Sequence, residues 1–418
     1  MKYVILGQAG GIGGWQLYVE ARMSYLRDRG YDVKVISISG SKWVVLSSFR
    51  ALCPLCLPEV HMSPSSYTKG QKESILKVVY EYIGNDSDDE LIVESTDINL
   101  SMWGEIIASH YHGRNFSYLL HSHIPEHSAY VNDFFFFKYQ RNELAGMSDL
   151  TLPDLFAGSS YAQLVKPKSL PAAPRDPITS ENTIPSITEY ILRCKRDDNS
   201  FVIGYFGNLD KPHFCALCKF IEEYVKDKAR NFIFISVGSS GKGNAERLQK
   251  DIEGKAANCR VVNVPAMYPV PNQIFKVMDV CIASWGSAEN AARAGAMTIR
   301  LQDDVSINPQ GILGIHIKDY KGPNCKESLS ELIDNVVNKV YGLDDYKFTT
   351  KPYDFIGAHQ MIDAAIFGAA CDKCYYNIDD IAYSSKRSRV EKVMNSLFGI
   401  KMTMSIIGAV KKMGLRPM

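Results

Sequence analysis

The sequence predicts an α/β protein of two Rossmann-like domains, each built on a parallel sheet. Three observations carry this. At 418 residues the chain is longer than one hydrophobic core usually serves. Short apolar runs alternate with amphipathic helical stretches in both halves, the pattern of repeated βαβ units. Pro167, Pro171, Pro174, Pro177 and Pro185 crowd a segment rich in Ser, Thr, Lys and Asp, and so mark a linker. The expected division is 1–165, a linker over 166–200, a second domain over 201–380 and a tail over 381–418.

Composition narrows the class. With 46% hydrophobic and 22% charged residues the chain is ordinary globular protein. A net charge of +1 excludes a protein built to coat nucleic acid. No stretch reaches the roughly 18 apolar residues of a membrane span. The apolar run near the N-terminus is too short for a signal peptide. These features predict a cytoplasmic protein. Ten cysteines include the pairs Cys53/Cys56, Cys215/Cys218 and Cys371/Cys374, but more than 150 residues separate each pair from the next. Zinc knuckles lie closer together, so the thiols read as reduced and structural.

The first βαβ unit is strand 3–6, glycine turn, helix 16–29 and strand 33–37. The turn, Gly7-Gln8-Ala9-Gly10-Gly11-Ile12-Gly13, fits the pattern of a dinucleotide-binding dehydrogenase. That reading needs a carboxylate or phosphate-binding Arg after the second strand, and Ile36-Ser37-Ile38-Ser39 supplies neither. Residues 41–75 read as irregular, and 75–83 as a helix. Asp86 and Asp88 precede a strand and read as a solvated loop. Strand 91–93 then leads to Glu94 and Asp97, where carboxylates at a sheet's C-terminal edge face a ligand crevice. Strand 116–120 delivers His121 and His123, which alternation puts on one face. At such an edge, one of them is expected to touch ligand. The run Phe134 to Phe137 reads as a buried helix, or as a surface that dips into lipid.

The second half repeats the pattern: strand 201–206 with Gly207, helix 213–226, strand 232–237 and a loop from Gly238 to Gly243. That loop is not a Walker A, because Gly243 replaces the required Ser/Thr. Helix 245–253, strand 260–264 and helix 272–278 lead to residues 280–299. There strand 280–283 ends in the small-residue turn Ser284-Trp285-Gly286-Ser287, followed by helix 288–294, with Gly295 to end it. A helix start after a strand offers free N–H groups and a positive dipole end, a site for phosphate. The tail, 386–418, carries eight basic residues against Glu391 alone, interleaved with Leu397, Phe398, Ile400, Met402, Met404, Ile406 and Ile407. Net +7 with apolar residues between suits an anionic membrane, where each base near the surface adds about 1 kcal/mol. The alternative is a helix that packs back across the domains.

Four stretches resemble the GT-B glycosyltransferases of polysaccharide and lipopolysaccharide biosynthesis, over most of 1–310. They are 10–18 with 29–36, 118–122, 203–211 and 271–284. The resemblance implies that the two parallel sheets face each other across a cleft. The C-terminal domain would hold a nucleotide-sugar donor as substrate, with no cofactor and no metal. A saccharide or lipid-linked acceptor would sit on the N-terminal domain. Donor-binding candidates are Gly207, Asn208, Lys211, Gly238, Ser284, Gly286, Ser287, Glu289 and Asn290. Gly11, Gly13, Gly14 and Glu94 belong to the acceptor-side loop and its surroundings. His121 and His123 are the catalytic candidates.

This sequence departs from the family in two places. The Glu pair of retaining members falls on Ala283 and Asn290, and the Arg after the donor-domain glycine is Asn208. Lys242, Arg293 or Arg300 then remain to meet the diphosphate's charge. The expected function is hexosyl transfer in surface-polysaccharide synthesis, by a protein that is cytoplasmic or peripheral on a membrane's cytoplasmic face. An epimerase, a polyol-phosphate transferase and a non-catalytic assembly subunit are the alternatives.

Overall fold

The computed structural model describes residues 1–84, 90–120, 131–172, 176–226, 228–240, 243–302, 305–317, 325–341, 354–369, 373–381 and 386–412. These fall into two compact units. One comprises Met1–Arg175 with Asp354–Met418, the other Asp176–Tyr353.

The first unit is built on β1 (Lys2–Gly7), β2 (Asp32–Ser37), β3 (Leu55–Cys56), β4 (Leu91–Ser95), β5 (Arg114–Leu119) and β6 (Leu144–Gly146). They pair in the order β3-β2-β1-β4-β5-β6, parallel throughout. This is the doubly wound arrangement, whose order reverses between β1 and β4. Every residue of β1 and β4 is buried, as strands covered on both faces require. Val4, Leu6 and Val93 pack against helices Lys69–Ile83 and Ile98–Tyr111 through Ile75, Val79, Trp103 and Ile107. The four-phenylalanine run forms helix Asn132–Gln140, with Phe134 and Phe135 fully buried. It is a core helix, and its Lys138 is buried against Glu105 and Glu143.

After the two-residue β7 (Ile178–Thr179), the second unit carries β8 (Phe201–Phe206), β9 (Phe232–Gly238) and β10 (Cys259–Pro265). Then come β11 (Val270–Pro271), β12 (Val280–Ser284), β13 (Thr298–Leu301) and β14 (Pro309–Ile312). The main sheet runs β10-β9-β8-β12-β13-β14, repeating the order of the first unit, with only β14 antiparallel. Period-2 alternation divides its side chains cleanly. Ile203, Tyr205, Phe234 and Ile282 face helices Pro212–Lys226 and Leu329–Val337. Val202, Ile233, Ile235 and Cys281 face Ile191, Phe275 and Ala291 on the other side.

Two expectations differ from the structure, and the tail follows one of its two readings, packing back, on the first unit. The segment read as a linker holds ordered elements of the second unit: β7 pairs with β11, and Pro185 opens helix Pro185–Asp198. The boundary between the units, after Arg175, does fall inside this proline-rich segment, and proline's fixed φ suits a first helical turn as well as a linker. The chain from Asp354 onward belongs to the first unit, where helix Phe355–Phe367 packs on helix Gly14–Arg27. The tail forms helices Lys386–Phe398 and Ile400–Lys412 and packs on that same unit. Glu391 accepts from the Ser66 hydroxyl at 2.8 Å, and Ile400, Met404 and Ile407 pack beside Trp103 and its neighbours.

Candidate functional site

In the second unit the strand order reverses between β8 and β12, and the ends of β8, β9 and β12 frame that point. Gly207 follows β8 and donates its N–H to the Val237 carbonyl at 3.0 Å. Gly238 ends β9 directly against it: a Cβ at 238 would overlap the Gly207 carbonyl oxygen. The ends of β8 and β9 therefore pack backbone on backbone, a contact that any side chain at 238 would break.

The turn after Gly207 is held from within. Asn208 Oδ1 accepts from the Asp210 N–H at 2.8 Å, and the Leu209 N–H donates to the Ser239 carbonyl at 3.0 Å. Tyr205 beneath it meets His213 Nε2 at 2.7 Å and donates to the Asn208 carbonyl at 3.3 Å. Asn208 is exposed and Lys211 half-buried at this edge.

On the neighbouring strand, helix Trp285–Arg293 starts one residue after Ser284, three residues earlier than the sequence predicts. Trp285 accomplishes this by taking φ +48°, a conformation rare for bulky residues and invisible to propensity. Gly286 faces open space, with nothing within 4 Å of where a Cβ would stand. Ser287, Glu289 and Asn290 occupy the helix's first turns, half-buried. Asn290 Oδ1 accepts from Arg293, whose guanidinium also forks onto Asp176 at 2.6 and 2.9 Å. Ser284, Gly286 and Ser287 thus adjoin the helix start, while Gly207, Asn208 and Lys211 end the adjacent strand β8.

In the first unit the glycine loop lies over the end of β1. Gln16 Nε2 donates to the Gly10 carbonyl at 2.8 Å, Gly11 takes φ +82°, and Gly13 and Gly14 lead into helix Gly14–Arg27. Trp15 Nε1 bonds Thr96 Oγ1 at 2.7 Å, tying the loop to the end of β4.

Glu94 is a correction. It was expected on the ligand crevice, but it lies inside β4 opposite Ile5 and is fully buried. Its oxygens accept from Tyr3 at 2.5 Å, Tyr18 at 2.6 Å and Arg22 at 2.9 Å. Arg22 bonds Asp363 on the returning chain at 2.7 Å, and Tyr25 donates to that carboxylate at 2.9 Å. The carboxylate is a structural anchor. Asp97 likewise caps helix Ile98–Tyr111 through the Asn99 N–H. His121 and His123, and the pair Asp86 and Asp88, lie outside the described residues.

Among the described residues one cluster has the composition of a metal site: His316, Cys325 and Glu327, with ligand atoms within 4.8 Å of one another. Its hydrogen bonds argue against ligation. His316 Nδ1 accepts from the Ile312 N–H at 3.1 Å, so in the neutral ring Nε2 carries the proton. That atom meets Glu327 at 3.0 Å, and Glu327 also accepts from Asn335 and Tyr341. The cysteines among the described residues are free thiols, and burial pushes Cys218, Cys259 and Cys281 well above the usual thiol range.

No family model and no curated protein sequence matches this chain. Solved structures do match it. Anabaena HepE, in complex with UDP and glucose, aligns at a TM-score of 0.55 and 15% identity, over 95% of this chain and 100% of its own. A glycosyltransferase from Rickettsia africae gives 0.55 and 14%, over 92% and 99%. A putative UDP-N-acetylglucosamine 2-epimerase from Listeria monocytogenes gives 0.50 and 14%, over 88% and 95%. With both sheets in the same doubly wound order, this chain has the two-domain, glycosyltransferase-like GT-B fold.

Proposed function

We propose that this protein is a glycosyltransferase of the hexosyl type. It would move a sugar from a nucleotide-sugar donor to a saccharide or lipid-linked acceptor in surface-polysaccharide biosynthesis. One observation carries the reading: at the strand-order reversal Gly207 ends β8 next to β12, whose helix starts at Trp285 with no side-chain cap among the described residues. That combination suits a diphosphate. Its leaving charge would be met by the free N–H groups at the helix start and by Lys211. Binding of UDP and glucose by Anabaena HepE, which shares the fold, agrees with this.

The reaction also needs an acceptor hydroxyl positioned at the anomeric carbon. We assign that to the first unit: His121 or His123 would contact sugar or acceptor, and the loop from Gly11 to Gly14 would belong to the acceptor side. The tail supplies membrane contact. Val390, Val393, Leu397, Phe398 and Met402 are exposed, with Arg389, Lys392 and Lys401 exposed among them. This apolar and basic combination suits the anionic face of a membrane.

The test is turnover. Purified protein given sugar nucleotides with membrane lipid extract should release nucleoside diphosphate only when acceptor is present. A His121→Ala, Lys211→Ala double variant should lose that activity; full activity would refute the residue assignment. The second reading is epimerisation, favoured by the Listeria fold match; Ala283 and Asn290, standing where retaining transferases carry Glu, point instead to a non-catalytic assembly subunit. Sugar interconversion with no acceptor would select epimerisation.

A further inference from the structure

The expected arginine after β8 is Asn208, so a diphosphate's two charges call for a further cation beside Lys211. Arg293 is engaged by Asp176 and Asn290. Arg300 is different. It stands on β13 opposite Ala283, beside the strand that feeds helix Trp285–Arg293. Its side chain is only 9% exposed, yet its Nε has no hydrogen-bond partner among the described residues. The acid beside it, Glu289, is 3.9 Å away, beyond hydrogen-bond distance. A buried guanidinium with an unmet N–H is costly unless a ligand completes it.

The guanidinium lies 5.8 Å from the centroid of the Trp285 indole. That indole is 47% exposed at the helix start. Trp285 therefore partly covers Arg300 at the edge where the helix offers its free N–H groups. Low exposure also strengthens the cation's attraction for an anion.

Resting on the donor-site reading above, we propose that Arg300, with Trp285 as its cover, is a second diphosphate-binding cation of this protein, acting with Lys211. It would replace, from β13, the charge missing at Asn208. The Nε–H would donate to a phosphate oxygen while the N–H groups at the start of helix Trp285–Arg293 take others.

The probe is inorganic pyrophosphate, which needs no knowledge of the base or sugar. Calorimetric titration of the full chain should show binding that weakens about tenfold or more in Arg300→Gln, as loss of a charge-assisted pair predicts. Arg300→Lys should retain part of it, and Arg260→Gln, on the edge strand β10, should bind as the wild type does. The Trp285 emission should shift on binding, and that shift should vanish in Trp285→Phe, a readout that holds even if Arg300→Gln fails to fold. Equal affinity in wild type and both Arg300 variants would overturn this assignment alone, as would an indole signal unchanged by bound pyrophosphate. A wild type that binds neither pyrophosphate nor any of UDP, GDP, CDP and ADP would overturn the donor-site reading with it.

Discussion

Gly207 and Gly238 touch backbone to backbone: a side chain on Gly238 would overlap the carbonyl oxygen of Gly207. Two neighbouring strands thus end in close backbone contact that leaves no room for a side chain at 238. Gly238→Ala should destabilise the second unit by about 1–3 kcal/mol, the usual cost of overpacking. It should also abolish any thermal shift by nucleotide. Gly286→Ala, which meets nothing within 4 Å, should fold normally. Thermal unfolding of both variants checks the contrast, and equal stability would contradict it.

Glu94 and Arg22 form a fully buried pair, joined by Asp363 from the returning chain. Glu94→Ala leaves Arg22 without its most buried partner and should cost about 3–5 kcal/mol. If Glu94 instead served an acceptor, Glu94→Gln would lower turnover at unchanged stability. Denaturant titration beside an activity assay separates the two.

The same cluster predicts alkaline sensitivity. Burial, aided by the charge on Glu94, raises the hydroxyls of Tyr3 and Tyr18 well above their usual range, with Arg22 opposing. Folded pKa values above the unfolded value near 10 give a contribution that is complete below about pH 10 and is lost as pH climbs past it. Stability should therefore fall above about pH 10, and less steeply in Tyr18→Phe. A pH series of melting temperatures checks the slope.

Leu397 and Phe398 are 70% and 55% exposed, whereas Glu391 and Asn395 hold the same helix to Ser66. Leu397→Ser with Phe398→Ser should leave the melting temperature within about 1 °C, as surface changes usually do. The same double variant should lose sedimentation with phosphatidylglycerol-containing vesicles. Binding should also weaken as salt rises. Unchanged vesicle binding would refute the membrane reading.

Much of the fold was legible in the sequence because its signals are local. Runs such as Val202-Ile203 and Val280-Cys281-Ile282, each leading to a glycine or small-residue turn, announce buried parallel strands and their ligand edge. The return of the chain to the first unit was not legible, because it rests on pairs such as Arg22 with Asp363, 341 residues apart. Glu94 looked like a crevice carboxylate because a strand's end cannot be placed to within one residue by hydrophobicity. Of the site, Gly207, Gly238 and the 284–290 turn were readable from glycine and small-residue spacing. The left-handed backbone of Trp285 was not, since it contradicts that residue's own propensity, and Arg300, already among the candidate cations, is set apart only by its burial and its unpartnered Nε.

The most direct test of the donor site is a thermal-shift screen of the purified protein against UDP, GDP, CDP, ADP and their common sugar conjugates. A ligand bound only by the folded state adds about 2.7 kcal/mol at a hundredfold excess over Kd. The account predicts a clear rise in melting temperature with one nucleotide class, larger for its sugar conjugate and lost in Lys211→Ala, Asn290→Ala. No rise with any of them would contradict it and leave a GT-B-like assembly subunit as the better description.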